Sequence, residues 1–147
     1  MFESNLTLNQ SFDGSRVLIV DDHAPLARNM AFLMQIAGFE AFTAFSAEEA
    51  LDLLDRQMVD VVIVDAHMPR LNGFDLLATL KMNDHTAHLP VVMTSNRYTY
   101  HDLMHALDLG AAEFLPKPFD AYDLVEAACG ALRGEPMLES VPLKKAS

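Results

Sequence analysis

The sequence predicts an α/β fold, a doubly wound five-stranded parallel sheet with helices on both faces. Two observations carry this expectation. Short β-branched runs alternate five times with segments of helical period, as in repeated β-α units. The first, third and fourth runs, RVLIV, VVIV and PVVM, are almost wholly apolar instead of alternating, as parallel strands covered on both faces must be.

Taken in order, Arg16–Val20 reads as the first strand. Residues 25–37 form a helix, with Pro25 suited to its first turn and Gly38 as its stop. Residues 39–44 make the second strand. Ser46 then caps a helix to about Leu54, and Glu49 completes a capping box. Residues 60–64 are the third strand and Gly73–Met82 the third helix. Residues 89–94, 99–109, 113–115 and 120–133 supply the fourth strand, the fourth helix, the last strand and the last helix.

The chain-wide properties bound the function. A length of 147 residues suits one domain, expected over residues 15–133, with residues 1–14 a flexible leader and 134–147 a flexible tail. The formal net charge of −11 argues against direct DNA binding, which needs Lys and Arg to replace counterions, and it permits a cation site. Cys129 is the single cysteine, so no internal disulfide can form, and it is expected as a buried small hydrophobe. No run of about 18 apolar residues marks a membrane span, and no signal layout opens the chain. A cytoplasmic protein with no membrane partner is expected.

In open α/β sheets ligands sit beyond the carboxyl ends of the strands. Strand one ends in Asp21-Asp22, strand three in Asp65, strand four in Thr94, and strand five in Lys117-Pro118. Three clustered carboxylates repel and raise one another's pKa. A hard cation such as Mg²⁺ relieves this, and it keeps waters and room for phosphate oxygens. Asp65 is then a candidate nucleophile towards phosphorus, with Lys117 and the metal neutralising charge and Thr94 donating to a phosphoryl oxygen.

At these residues the chain resembles the receiver domain of two-component response regulators. The likeness spans residues 15 to 133. It rests on VDD after the first strand, D-x-x-M-P-x-x-N-G at 65–73, Thr94 after an apolar strand, and GAAEFLPKPF at 110–119. The resemblance implies a flavodoxin-like sheet of order 2-1-3-4-5. It also implies that Asp65 accepts phosphate from a phosphohistidine on a histidine kinase or histidine phosphotransfer protein. Asp22, Asp65 and the backbone carbonyl of His67 would bind Mg²⁺, with Asp21 acting through water. Lys117 would pair with Asp65, the Lys117–Pro118 bond would be cis, and Thr94 with Phe114 would form the switch, Phe114 turning inward. Ser95, where the family favours Ala, should narrow access slightly. His67 lies where the family tunes hydrolysis, either orienting water or obstructing it.

No output domain follows residue 133 in the sequence, so a stand-alone receiver acting on a downstream protein target is expected, with a homodimer an open alternative. It would not be an enzyme beyond its own phosphorylation and dephosphorylation. Two readings compete. An aspartate-nucleophile phosphatase usually carries a second acid two residues after the first, where this chain has His67. A pseudo-receiver scaffold would have no need of the acidic set.

The first helix suggests where partners dock. Its expected core stripe is Leu26, Met30, Leu33 and Ala37, with Met34 at the edge. The opposite side holds Arg28 and Gln35 with Ala27, Ala31, Phe32 and Ile36, and the last two form one ridge. The competing reading buries this side under Phe2, Leu6 and Leu8. A second candidate surface gathers Tyr98, Tyr100 and Phe114. His85, His88, His101 and His105 read as surface histidines without an acidic partner, and the nine methionines as core filler.

Overall fold

The computed structural model describes residues 12–136, so the expected leader and tail fall largely outside the described residues. The elements run β1 (Arg16–Val20), α1 (Ala24–Ile36), β2 (Glu40–Ala44), α2 (Ala47–Leu54), β3 (Val61–Asp65), α3 (Gly73–Met82), β4 (Val91–Ser95), α4 (Tyr100–Leu109), β5 (Glu113–Pro116) and α5 (Ala121–Arg133). All strand pairs are parallel, and the order is β2-β1-β3-β4-β5. The chain therefore has the doubly wound sheet that the apolar runs imply.

The sheet divides two hydrophobic layers because neighbouring side chains on a strand face opposite ways. Leu18, Val20, Val62, Val64 and Met93 meet Leu76, Leu77, Leu80 and Ala106 on one side. Val17, Ile19, Ile63 and Val92 meet Met30, Met34, Leu124 and Cys129 on the other. Cys129 is buried, and this pushes its thiol up to about 11. Phe12 packs against the second layer and Gly14 N–H donates to Gly38 O, so packing begins ahead of residue 15.

Several boundaries move for identifiable reasons. β3 extends through Asp65, whose register partner is Thr94. β4 starts at Val91, since Pro90 has no N–H to give the ladder, although its carbonyl accepts from Val62. Ser46 Oγ accepts from Glu49 N–H at 3.0 Å, but the Glu49 carboxylate accepts from Phe45 N–H and so leaves the expected capping box open. Full capping boxes close α3, between Asn72 and Asp75, and α5, between Asp120 and Asp123.

α1 is rotated from its expected setting. Its buried residues are Ala27, Met30, Ala31 and Met34, while Leu26, Leu33 and Ala37 are only partly covered. Ala27 and Ala31 thus leave the outer face assigned to them. The two leucines are only partly buried against the same layer. Phe32 and Ile36 do face outward, at 59% and 54% exposure. The methionines divide too. Met30, Met34, Met68 and Met93 are buried, whereas Met58 and Met82 stand in solvent.

Candidate functional site

The carboxyl ends of β1, β3, β4 and β5 converge as the strand order requires. Asp21 follows β1, and its N–H donates to Ala44 O at 3.1 Å, which holds it beside the sheet. Asp65 closes β3, and the next residue's N–H donates to Thr94 O at 2.8 Å. Lys117 N–H donates to Ser95 O at 2.7 Å, and the following Lys117–Pro118 bond is cis. The Lys117 side chain reaches the acidic residues. Its Nζ lies 3.0 Å from Asp21 Oδ2 and 3.5 Å from Asp65 Oδ1.

Asp21, Asp65 and Thr94 are buried, and Asp22 is exposed. One carboxylate oxygen from each of Asp21, Asp22 and Asp65 lies within 4.8 Å of the other two. Burial raises the Asp65 pKa above its usual value. Lys117 opposes that shift, Asp21 adds to it, and the backbone N–H of His67 opposes it. Asp21 is already engaged, since Oδ2 accepts from Lys117 and Oδ1 accepts from His23 N–H at 2.9 Å. An all-oxygen set this crowded suits a hard divalent cation, with Asp22 and Asp65 better placed than Asp21 to ligate directly.

The β3–α3 loop owes its course to glycine. A Cβ on Gly73 would overlap the Asp65 carbonyl oxygen and come within 2.9 Å of Ala66 Cα. Gly73 N–H donates to Ala66 O at 3.0 Å, which curls residues 66–72 back over the strand end, with Arg70 at φ 63°. This turn presents both Asp65 and the His67 backbone to the site.

The family model for the response regulator receiver domain matches residues 17–129. The chain belongs to this family. The transcriptional regulatory protein CpxR of Escherichia coli K12 is 37% identical over 119 residues, covering 81% of this chain and 50% of the relative. The heme response regulator HssR of Staphylococcus aureus Newman is 36% identical over 116 residues, covering 79% of this chain and 50% of the relative. The receiver therefore spans about half the length of these curated relatives. Among solved structures, a receiver domain protein from Clostridium thermocellum aligns with a TM-score of 0.75 at 34% identity, covering 81% of this chain and 94% of its own. The chemotaxis regulator CheY4 of Vibrio cholerae gives 0.75 at 27% identity, covering 80% and 98%.

In this receiver Asp21, Asp22, Asp65, Thr94 and Lys117 meet at one rim. Phe114 is buried at 3% exposure, with the Tyr98 ring stacked on it at 5.6 Å. The Ser95 hydroxyl is consumed locally, donating to Arg97 O at 2.8 Å and accepting from Arg97 N–H at 2.9 Å. The expectation that the histidines lack an acidic partner fails at α4. Asp102 lies 3.6 Å from His101 and 2.9 Å from His67, 35 residues away in sequence. His105 stacks on Phe74 with centroids 4.4 Å apart. Among the described residues, no helix is long and apolar enough to cross a membrane.

Proposed function

We propose that this receiver takes a phosphoryl group from a phosphohistidine onto Asp65 and signals through the contacts that change as a result. One observation carries the proposal. The largely buried Asp65 carboxylate stands 3.5 Å from Lys117 Nζ, with oxygens of Asp21 and Asp22 within 4.8 Å. Asp65 attacks phosphorus as the bond from phosphorus to the donor's imidazole nitrogen breaks and its electron pair returns to that ring, while Lys117 and the Thr94 hydroxyl receive the phosphoryl oxygens. The raised Asp65 pKa is the cost of burying a nucleophile, and Lys117 offsets part of it. Mg²⁺, held by Asp22, Asp65 and the His67 carbonyl with Asp21 behind them, would supply further charge neutralisation during transfer.

The donor is a histidine kinase or a histidine phosphotransfer protein, in the cytoplasm. Phe32 and Ile36 are the docking ridge for it, being apolar, exposed and four residues apart on α1. A downstream protein target or a second copy reads the phosphorylated state near Tyr98 and Tyr100. No steady turnover of phosphate esters belongs to this reading, since position 67 offers an imidazole where a phosphatase of this type needs an acid. Matching half of each curated relative is equally what a receiver joined to an output domain would give.

The test is labelling by acetyl phosphate with and without Mg²⁺. Acid-labile, base-labile label should accumulate with the metal and fail to accumulate in excess chelator. Equal labelling in both would contradict the role of the acidic set.

A further inference from the structure

The outer face of α1 carries Phe32 and Ile36 in line, both exposed, and the described chain begins beside the end of the helix that holds Ile36. Phe12 packs against the hydrophobic layer that includes α1 and α5. Ser15 N–H donates to Phe12 O at 2.9 Å, which closes a turn, and Gly14 N–H donates to Gly38 O at 2.8 Å. A Cβ on Gly38 would overlap the Asp13 carboxylate, so Asp13 lies against the glycine two residues past Ile36. Residues 1–11 therefore join the described chain at the carboxyl end of α1.

Their composition suits the face they adjoin. The segment MFESNLTLNQS holds apolar Phe2, Leu6 and Leu8, and Glu3 is its one charged side chain. In extended backbone Leu6 and Leu8 fall on the same side, about 7 Å apart. Phe32 and Ile36 are separated by four helical residues, about 6 Å along the axis. The two pairs match in spacing. Leu8 precedes Phe12 by four residues, a reach of up to about 14 Å, so it can lie on Ile36 while Leu6 lies on Phe32. Glu3 then comes level with Arg28, about 12 Å back along the helix from Ile36. Arg28 is exposed, with its guanidinium 5.2 Å from the Phe45 ring centroid, and α1 has no acidic residue to repel Glu3.

We propose that residues 2–8 lie on the outer face of α1, with Leu6 on Phe32, Leu8 on Ile36 and Glu3 beside Arg28. A ridge of two side chains falls far short of the roughly 800 Å² per partner that a standard interface buries, which disfavours a second copy as the occupant. A tethered segment needs less surface, because a short flexible linker keeps it at an effective concentration in the millimolar range. This deepens the reading of the ridge as the donor's docking surface and rests on it in one respect: a histidine-bearing partner must displace the segment to reach Phe32 and Ile36.

The experiment is disulfide trapping in the full chain, with oxidised glutathione as oxidant and non-reducing electrophoresis and peptide mass as readouts. Asn5→Cys is paired with Asn29→Cys, at an exposed position on α1 between Arg28 and Phe32. The control pairs Asn5→Cys with Met82→Cys, which is 86% exposed on α3, across the sheet from α1. Native Cys129 is buried and stays outside the reaction. The α1 pair should close within one chain at least about tenfold faster than the control pair. Adding Phe32→Ser to the α1 pair should bring its rate down to that of the control, and Leu6→Ser with Leu8→Ser should do the same. An α1 pair no faster than the control, or an excess that survives loss of the apolar side chains, would overturn the proposal. Disulfides formed between chains would overturn it in favour of a second copy on the ridge. None of these failures touches the docking reading, which transfer from a histidine-bearing partner tests separately.

Discussion

Gly73→Ala should damage both stability and phosphorylation, although alanine is the better helix former. The added Cβ would overlap the Asp65 carbonyl oxygen and sit 2.9 Å from both Ala66 Cα and the Asp65 carbonyl carbon. Carbon atoms in good contact are about 3.5–4.0 Å apart, so the methyl arrives several tenths of an ångström too close on several sides. All three neighbours are backbone, and none can swing away as a side-chain tip would. Overpacking of this kind costs about 1–3 kcal/mol, and rigid neighbours put this site at the upper end. The helix gains back about 0.5–1 kcal/mol from replacing glycine. The net loss is about 2 kcal/mol, or roughly 6–10 °C in Tm for a domain of this size. The strand end must shift to admit the methyl, so labelling from acetyl phosphate should slow at least about tenfold, on the order of 1.4 kcal/mol in the barrier. Thermal melting followed by circular dichroism reads the first effect and labelling kinetics the second. Gly130→Ala in α5 is the control, since its Cβ meets only the tips of Glu135 and Arg133. That variant should be neutral or stabilised by up to about 1 kcal/mol. A Gly73→Ala chain that melts no lower than its parent and labels at the same rate would refute the packing argument.

Other consequences follow from the same geometry. Burial, with help from Asp21, holds the Asp65 pKa above its usual value, so the folded state binds this proton more tightly than the unfolded state does. Its contribution to stability is full below the unfolded carboxylate pKa and is lost as pH rises through the folded value. Asp65→Asn should therefore raise Tm at pH 7.5 without divalent cation, by a few degrees for roughly 1 kcal/mol. That gain should shrink towards zero below about pH 4, and a gain independent of pH would contradict burial of the charge as its cause. Phe32→Glu and Ile36→Lys should each cut phosphotransfer from a histidine-bearing partner at least about tenfold, on the order of 1.4 kcal/mol, yet leave labelling by acetyl phosphate unchanged. Transfer that survives both charges would remove α1 as the docking face. The Cys129 thiol, buried and pushed up to about 11, should resist iodoacetamide at pH 8 until the chain unfolds, and fast native alkylation would contradict its placement.

Much of the fold was legible because its strands are apolar runs that stop at charged residues. RVLIV and VVIV end at carboxylates, and parallel pairing brings strand ends together, so Asp21, Asp22, Asp65, Thr94 and Lys117 could be gathered from sequence. The setting of α1 was harder to read. Leucines dominate a hydrophobic pattern, but α1 buries Ala27 and Ala31 while Leu26 and Leu33 are only partly covered, and a small side chain sends a weak periodic signal. The capping boxes of α3 and α5 were visible in principle as Asn72 to Asp75 and Asp120 to Asp123, since each has the required spacing. The bond from His67 to Asp102 was not. It joins the β3–α3 loop to the first turn of α4, which only the tertiary fold brings together, and no spacing rule connects them.

The most direct measurement for the central claim is retention of labelled phosphate by Asp65→Asn beside the unsubstituted chain, with acetyl phosphate and Mg²⁺. Asparagine keeps the shape of the side chain and removes the charged nucleophile. The unsubstituted chain should take up acid-labile, base-labile label, and Asp65→Asn should retain none above background. Undiminished label of the same chemistry on Asp65→Asn would contradict the assignment of Asp65 as the phosphoacceptor.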